Sequence, residues 1–179
     1  AVLPDANSAA GWIAGCIPHR GVGGDPVAMP GQDAARMTRG SLSGWVLYGL
    51  EPNLDYACPG SLDRALGHAD FVLSFSSFRS AVPLQANVAL PLVPFTENLG
   101  SFINLEGRVQ FSSAAVPPRG EARPGWKILR VLANLLALKG FDYVTVDDVT
   151  REIPLPDPGV SYRLAGPLPK PRPEGARPN

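Results

Sequence analysis

ENLGSFINLEGRVQ, residues 97–110, sets Glu97, Gly100, Ser101, Asn104, Glu106, Gly107, Arg108 and Gln110 into one short ribbon. Gly100 and Gly107 permit tight turns, or a close approach of backbone to a ligand. The carboxylates, amides, hydroxyl and guanidinium are the donor and acceptor types that a pterin or a nucleotide diphosphate requires around it. Two readings follow from these residues. In one, Glu97, Gly100, Ser101, Asn104, Glu106, Arg108 and Gln110 are the remnant of a cofactor site. In the other, the segment is a ribbon joining sheet to helix, its glycines turning the chain while Glu106 and Arg108 pair or point outward.

Upstream of this ribbon, residues 42–50 (LSGWVLYGL) and 70–75 (DFVLSF) are short apolar runs. Between them, Ser61 to Gly67 begins on an N-capping residue and ends on glycine, the polarity of a helix. Runs without alternation predict strands covered on both faces, hence a parallel sheet with crossover helices. A third strand is expected over Val88 to Leu90, stopping at Pro91, which cannot donate to a ladder. Further upstream, Asn7 to Ala14 reads as a short helix capped by Asn7, followed by a long loop from Gly21 to Gln32.

Downstream, Pro124-Gly125-Trp126 leads into KILRVLANLLALKG. Ile128, Leu129, Leu132, Leu135 and Leu136 fall near one face there, with Lys127, Arg130 and Asn134 on another. This is the pattern of an amphipathic helix packed on a sheet. Pro124 suits its first turn and Gly140 its C-terminal cap. Phe141-Asp142-Tyr143 makes a corner, and Val146 to Glu152 one or two helical turns. Trp12, Trp45, Trp126, Phe102 and Phe111 are expected in packing between elements. Eight prolines lie between Pro154 and Pro178, so residues 154–179 read as an extended or disordered arm following a domain of residues 1–153.

The ordered set Leu90-Pro91, Glu97, Gly100-Ser101-Phe102-x-Asn104-x-Glu106-Gly107-Arg108-x-Gln110 and Pro117-Pro118-x-Gly120-Glu121-Ala122-Arg123-Pro124-x-Trp126 resembles the closing segment of the molybdopterin oxidoreductase fold. It is most similar to the family of the large iron-sulfur subunit of bacterial NADH-quinone oxidoreductase, respiratory complex I. The resemblance extends over most of residues 1–153, including Ala14-Gly15-Cys16-Ile17-Pro18, and is most specific over about 90–130. It implies an α/β fold, a parallel sheet with flanking helices of the formate dehydrogenase/DMSO reductase type. In family members with a molybdopterin cofactor this segment helps build the cofactor site; in the complex I subunit the fold is a scaffold without it. Where many relatives carry acidic residues, this chain has Ser76-Ser77-Phe78-Arg79-Ser80-Ala81 and Ala86-Asn87-Val88-Ala89-Leu90-Pro91, which favours the scaffold.

The resemblance therefore implies a cofactor-free structural part of the peripheral arm of a proton-translocating NADH-quinone oxidoreductase, non-catalytic by itself. Iron-sulfur clusters would lie elsewhere in the parent subunit, the partners would be the complex's other subunits, and the location would be peripheral, on the cytoplasmic face of the bacterial inner membrane. The alternatives are a fragment of a genuine molybdopterin-dependent enzyme such as a formate dehydrogenase, and a stand-alone nucleotide-binding α/β module. A start without Met, inside what resembles the middle of a family pattern, reads as a piece of something longer.

Other chemistries find little support. At 179 residues with 45% apolar side chains the chain can bury an ordinary core. Sixteen basic residues balance sixteen acidic ones, so no net field recruits nucleic acid or an anionic membrane. The longest apolar runs fall short of the roughly 18 residues a membrane span requires, and no basic region precedes one at the start. Cys16 and Cys58 cannot supply the four thiolates of an iron-sulfur cluster and are expected as free, buried thiols, with a disulfide between them as the alternative. Gly21-Val22-Gly23-Gly24 lacks the Lys-Ser/Thr and helix start of a P-loop. His19 and His68 have no partners at metal-ligand spacing, and His19 with Arg20 reads as a surface polar pair. No G-x-S-x-G elbow occurs.

Overall fold

The structure is a computed structural model and describes residues 7–104 and 106–155. Its centre is a parallel sheet of three strands, β1 (Gly44–Tyr48), β2 (Phe71–Ser76) and β3 (Val88–Pro91), in the order β1-β2-β3. The register pairs Trp45 with Val72 and Leu73 with Val88. Asn87 fixes the start of β3: its backbone N–H donates to Val72 O at 2.9 Å, and its side-chain Oδ1 accepts the Val72 N–H at 2.6 Å.

The crossover from β1 to β2 passes through α3 (Pro52–Asp55) and α4 (Pro59–Gly67). α4 starts two residues before the expected Ser61. Pro59 takes its first turn, where a missing N–H costs nothing, and the Ser61 hydroxyl donates to Cys58 O at 2.8 Å. Leu62, Ala65 and Leu66 on α4 pack against Trp45, Leu47 and Val72 of the sheet. Burial of a Leu or Val side chain contributes about 1.5–3 kcal/mol each, so this cluster holds one face of the sheet.

The other face is covered less completely. α5 (Gly125–Leu135) lays Ile128 and Leu132 on Leu73, Phe75 and Leu92. A Cβ on Gly125 would overlap the Tyr48 hydroxyl, so glycine is what lets the helix start that close to β1. Leu129, Leu135 and Leu136, expected on the buried face, are exposed. Only β2 is buried on both faces; β1 alternates between buried and exposed side chains, and β3 is mostly exposed. The inference from unbroken apolar runs to two-sided coverage therefore holds for the central strand alone, because the described residues place no element over Val46 and Phe71.

The ribbon of residues 97–110 is part of an antiparallel hairpin of β4 (Gly100–Ile103) and β5 (Val109–Ser112). It is docked on α1 (Ser8–Ile13) through Ala9, Ile13 and Ile103, with Ile153 and Leu155 packed against the same cluster. Asn7 has φ 63° and its side chain does not cap α1. Its Oδ1 instead accepts the Ile103 N–H at 2.9 Å, tying the start of α1 to the end of β4. Inside the expected long loop a 3₁₀ turn forms over Val22–Gly24, and α2 (Ala34–Arg39) follows it, N-capped by Asp33.

Further expectations are corrected by burial and by cap geometry. Cys16 and Cys58 are free but exposed, and Phe102 and Phe111 face solvent. Trp45 is in the core, whereas Trp12 and Trp126 are half-buried. Pro124 is the N-cap of α5 rather than a first-turn residue. The helix closes before Gly140: Ala137 N–H donates to Asn134 O at 3.0 Å and Leu138 N–H to Ala133 O at 2.9 Å, with Ala137 at φ 55°. That is the Schellman pattern with alanine in the left-handed position. α6 (Val146–Arg151) starts on a Thr145–Asp148 capping box. Residues 156–179, most of the expected C-terminal arm, lie outside the described residues.

Candidate functional site

Open α/β sheets place ligands outside the carboxyl ends of their strands. At that end of this sheet Gly49, with φ 62°, turns the chain out of β1 while its N–H donates to Phe75 O at 2.9 Å. Ser76 ends β2 with a local turn: its hydroxyl donates to Phe78 O at 2.9 Å and accepts the Phe78 N–H at 3.3 Å. Between the two exits lies a crevice of about 410 Å³, lined by Glu51, Asn53, Leu54, Asp63, Ser80 and Leu84 among others. Two carboxylates, an amide and a hydroxyl there suit a ligand edge rich in N–H donors. The same carboxylates would repel a phosphate.

The hairpin residues are spread over several duties instead of converging. Asn104 builds the turn: its Oδ1 accepts from Glu106 N–H at 3.0 Å and Arg108 N–H at 2.9 Å, while its own N–H donates to Arg108 O at 3.1 Å. Gly107 sits in that turn at φ 82°, a conformation that strains a side-chain-bearing residue. Glu97 accepts the Arg119 N–H at 3.0 Å and so holds the segment that leads to α5. A Cβ on Gly100 would lie 2.9 Å from the Phe102 ring. Glu106, Arg108 and Gln110 are exposed and Ser101 is half-buried. The one ion pair found among the described residues joins Arg151 to Asp148, so Glu106 and Arg108 point outward rather than pairing.

The glycine-rich loop also has a packing explanation. The Trp12 ring is met edge-on by His19 at 5.3 Å and stacked by the Arg20 guanidinium at 4.9 Å. A Cβ on Gly24 would stand 3.0 Å from that ring. Gly21 and Gly24 spend their N–H groups on Asp25 O and Gly21 O, leaving neither for a phosphate. His19 and Arg20 thus clasp Trp12 instead of forming a free surface pair. Among the described residues no three His, Cys, Asp or Glu side chains gather where they could hold a metal ion.

Glu51 and Asp63 are absent from the residues singled out by sequence. Glu51 lies three residues past the end of the first strand, a position where an acidic side chain meets whatever occupies the sheet's carboxyl end. Asp63 carries no such signal, because it reaches the crevice only when α4 docks.

Comparison with known proteins adds the ancestry. The family profile of molybdopterin oxidoreductase matches residues 20–135. A Staphylococcus aureus protein (strain bovine RF122 / ET3-1) bearing the provisional name formate dehydrogenase is 33% identical over 147 residues, which are 76% of this chain and 14% of that protein. Counterparts with the same provisional name in strains USA300 and NCTC 8325 are 34% identical over the same length. The chain thus spans 14% of the length of the curated relatives it matches.

Proposed function

This chain belongs to the molybdopterin oxidoreductase family, and from that premise we propose that it is the α/β segment of a molybdopterin-dependent oxidoreductase of the formate dehydrogenase type. The observation that carries the reading is the 147-residue similarity to proteins of that name, together with the family profile over residues 20–135, which takes in the sheet, the hairpin and α5. The redox chemistry would come from the bound cofactor and its metal. This chain's residues would bind and orient. In this reading the crevice would take the heterocyclic end of such a group, its N–H edge meeting Glu51 and Asp63, and the same carboxylates would keep its phosphate end out. The hairpin's exposed Arg108 and Gln110 could reach a group held by another part of the parent protein.

Elemental and pterin analysis of the full-length protein tests this. About one molybdenum or tungsten per chain, with releasable pterin, is the expected result. A folded protein free of both would favour a second reading, the cofactor-free scaffold of an NADH-quinone oxidoreductase at the cytoplasmic face of the bacterial inner membrane, docked on the other subunits. One observation supports that reading: Asn104, Gly107 and Glu97 are consumed in holding the hairpin and its connection to α5. Among the described residues no helix is long and apolar enough to cross a membrane.

A further inference from the structure

Alongside α5, away from the crevice, runs a groove of about 510 Å³. Leu90, Ile128 and Leu132 are in its floor, and Arg123, Lys127 and Arg130 line it with no acidic side chain among them. Leu90 brings it against β3, the last strand of the sheet, which has one edge not paired to β2. Arg123 covers that edge at residues 91–93: it bridges Leu92, its N–H donates to Pro91 O, and its carbonyl accepts the Val93 N–H. Residues 88–90 have no backbone partner beyond β2 among the described residues. An open edge of this kind is a template for another strand. Arg130 lines the groove from α5, its Nε buried without an acceptor among the described residues.

We propose that this groove receives an extended, carboxylate-bearing peptide segment of a partner, which adds to β3 as a further strand. Its apolar side chains would lie over Leu90 and Ile128, and the uncompensated charge of Lys127 and Arg130 would attract its carboxylates at the rim. A second copy of this chain is a poorer occupant, because apposing two such grooves sets three cations against three. The proposal does not depend on whether the parent protein carries a cofactor.

The test uses the full chain and a fluorescein-labelled Glu-Val-Glu-Val-Glu-Val-Glu peptide, with a Lys-for-Glu peptide as control. Saturable anisotropy is expected for the acidic peptide alone, weakened about tenfold on raising salt to 0.3 M. Amide shifts should move at Val88 and Leu90. Val131→Glu, a substitution at an exposed site on the groove wall, should abolish binding without unfolding the protein, and Arg130→Gln should weaken it several-fold. Equal binding of both peptides, unmoved Val88 and Leu90 amides, or no saturation up to about 1 mM would overturn the proposal. So would a dimer in sedimentation that the peptide fails to dissociate.

Discussion

The sheet and the hairpin are built on opposite physical terms. The sheet is held by burial: Phe75 is 0% exposed and Leu66 1%, and apolar side chains clamp β2 from both sides. The hairpin buries Ile103 and little else, and its shape rests on one carboxamide, one left-handed glycine and two side-chain links to distant backbone. Burial is tolerant of which apolar residue supplies it, provided volume is kept. A turn organised by Asn104 depends on a particular acceptor at a particular place. A sequence motif with fixed polar positions is therefore expected over the hairpin and not over the sheet, even where neither touches a ligand.

The largest expected effect breaks the sheet side of this contrast. Phe75→Ala removes a fully buried ring that packs on Leu73, Leu92 and the edge of Tyr48, ring centroids 5.8 Å apart. A loss of about 3–5 kcal/mol is expected, read as a shift of the urea midpoint. Phe75→Leu, which keeps most of the apolar volume, should recover more than half of it. If Phe75→Ala cost under about 1 kcal/mol, the claim that burial sets the sheet's stability would fail.

Asn104 is the matching probe of the hairpin. Asn104→Ala deletes the acceptor for two N–H groups in an exposed turn and is expected to cost about 1–2 kcal/mol. Asn104→Asp keeps an oxygen at the same place and should cost far less. Equal losses for Ala and Asp would show that the turn rests on Gly107 and the strand pairing alone. Amide exchange across residues 100–112 would localise the effect, with the sheet amides unchanged.

This difference also explains what was legible in the chain. The three parallel strands and the helical run after Pro124 could be read from apolar runs, Pro and Gly, because those signals are local; the order of the strands in the sheet could not. The role of Asn7 could not, since its partner Ile103 lies 96 residues away and the local pattern favours a helix cap. The need for glycine at 125 appears only once Tyr48 is placed above it. Exposure of Leu129, Leu135 and Leu136 was equally hidden, since periodicity marks an apolar face without saying that anything covers it. For the candidate site, the hairpin's polar residues were visible as a motif, but their structural duties were not. The crevice at the sheet's carboxyl end is assembled from α3, α4 and the residues after β2, so its acidic pair has no contiguous signature.

The helix ends repeat the contrast on a smaller scale. α5 closes on Ala137 at φ 55°, where the Cβ is strained and glycine is not. Ala137→Gly is expected to stabilise the protein by about 0.5–1 kcal/mol, seen as a raised thermal midpoint. A lowered midpoint would mean that the Ala137 methyl group makes packing contacts outweighing the strain.

α6 starts instead on side-chain chemistry, and its signature is a pH dependence. The Thr145 and Val144 N–H groups donate to Asp148 Oδ2 at 2.8 and 2.9 Å, and these two backbone bonds, with the Thr145 hydroxyl, lower the carboxyl from its usual 3.8 to about 2. Arg151 at 2.8 Å adds a smaller part, as expected of a solvent-exposed pair. A carboxyl whose folded value is depressed stabilises the fold above its unfolded value, and that contribution disappears as pH falls through the folded one. Fraying of α6 is therefore expected between about pH 4 and pH 2, followed by the amide shifts of Val144 and Thr145. In Asp148→Asn the same amides should be insensitive to pH across that window. Retention of the wild-type titration in the variant would assign it to another carboxylate and remove the box as the device that starts this helix.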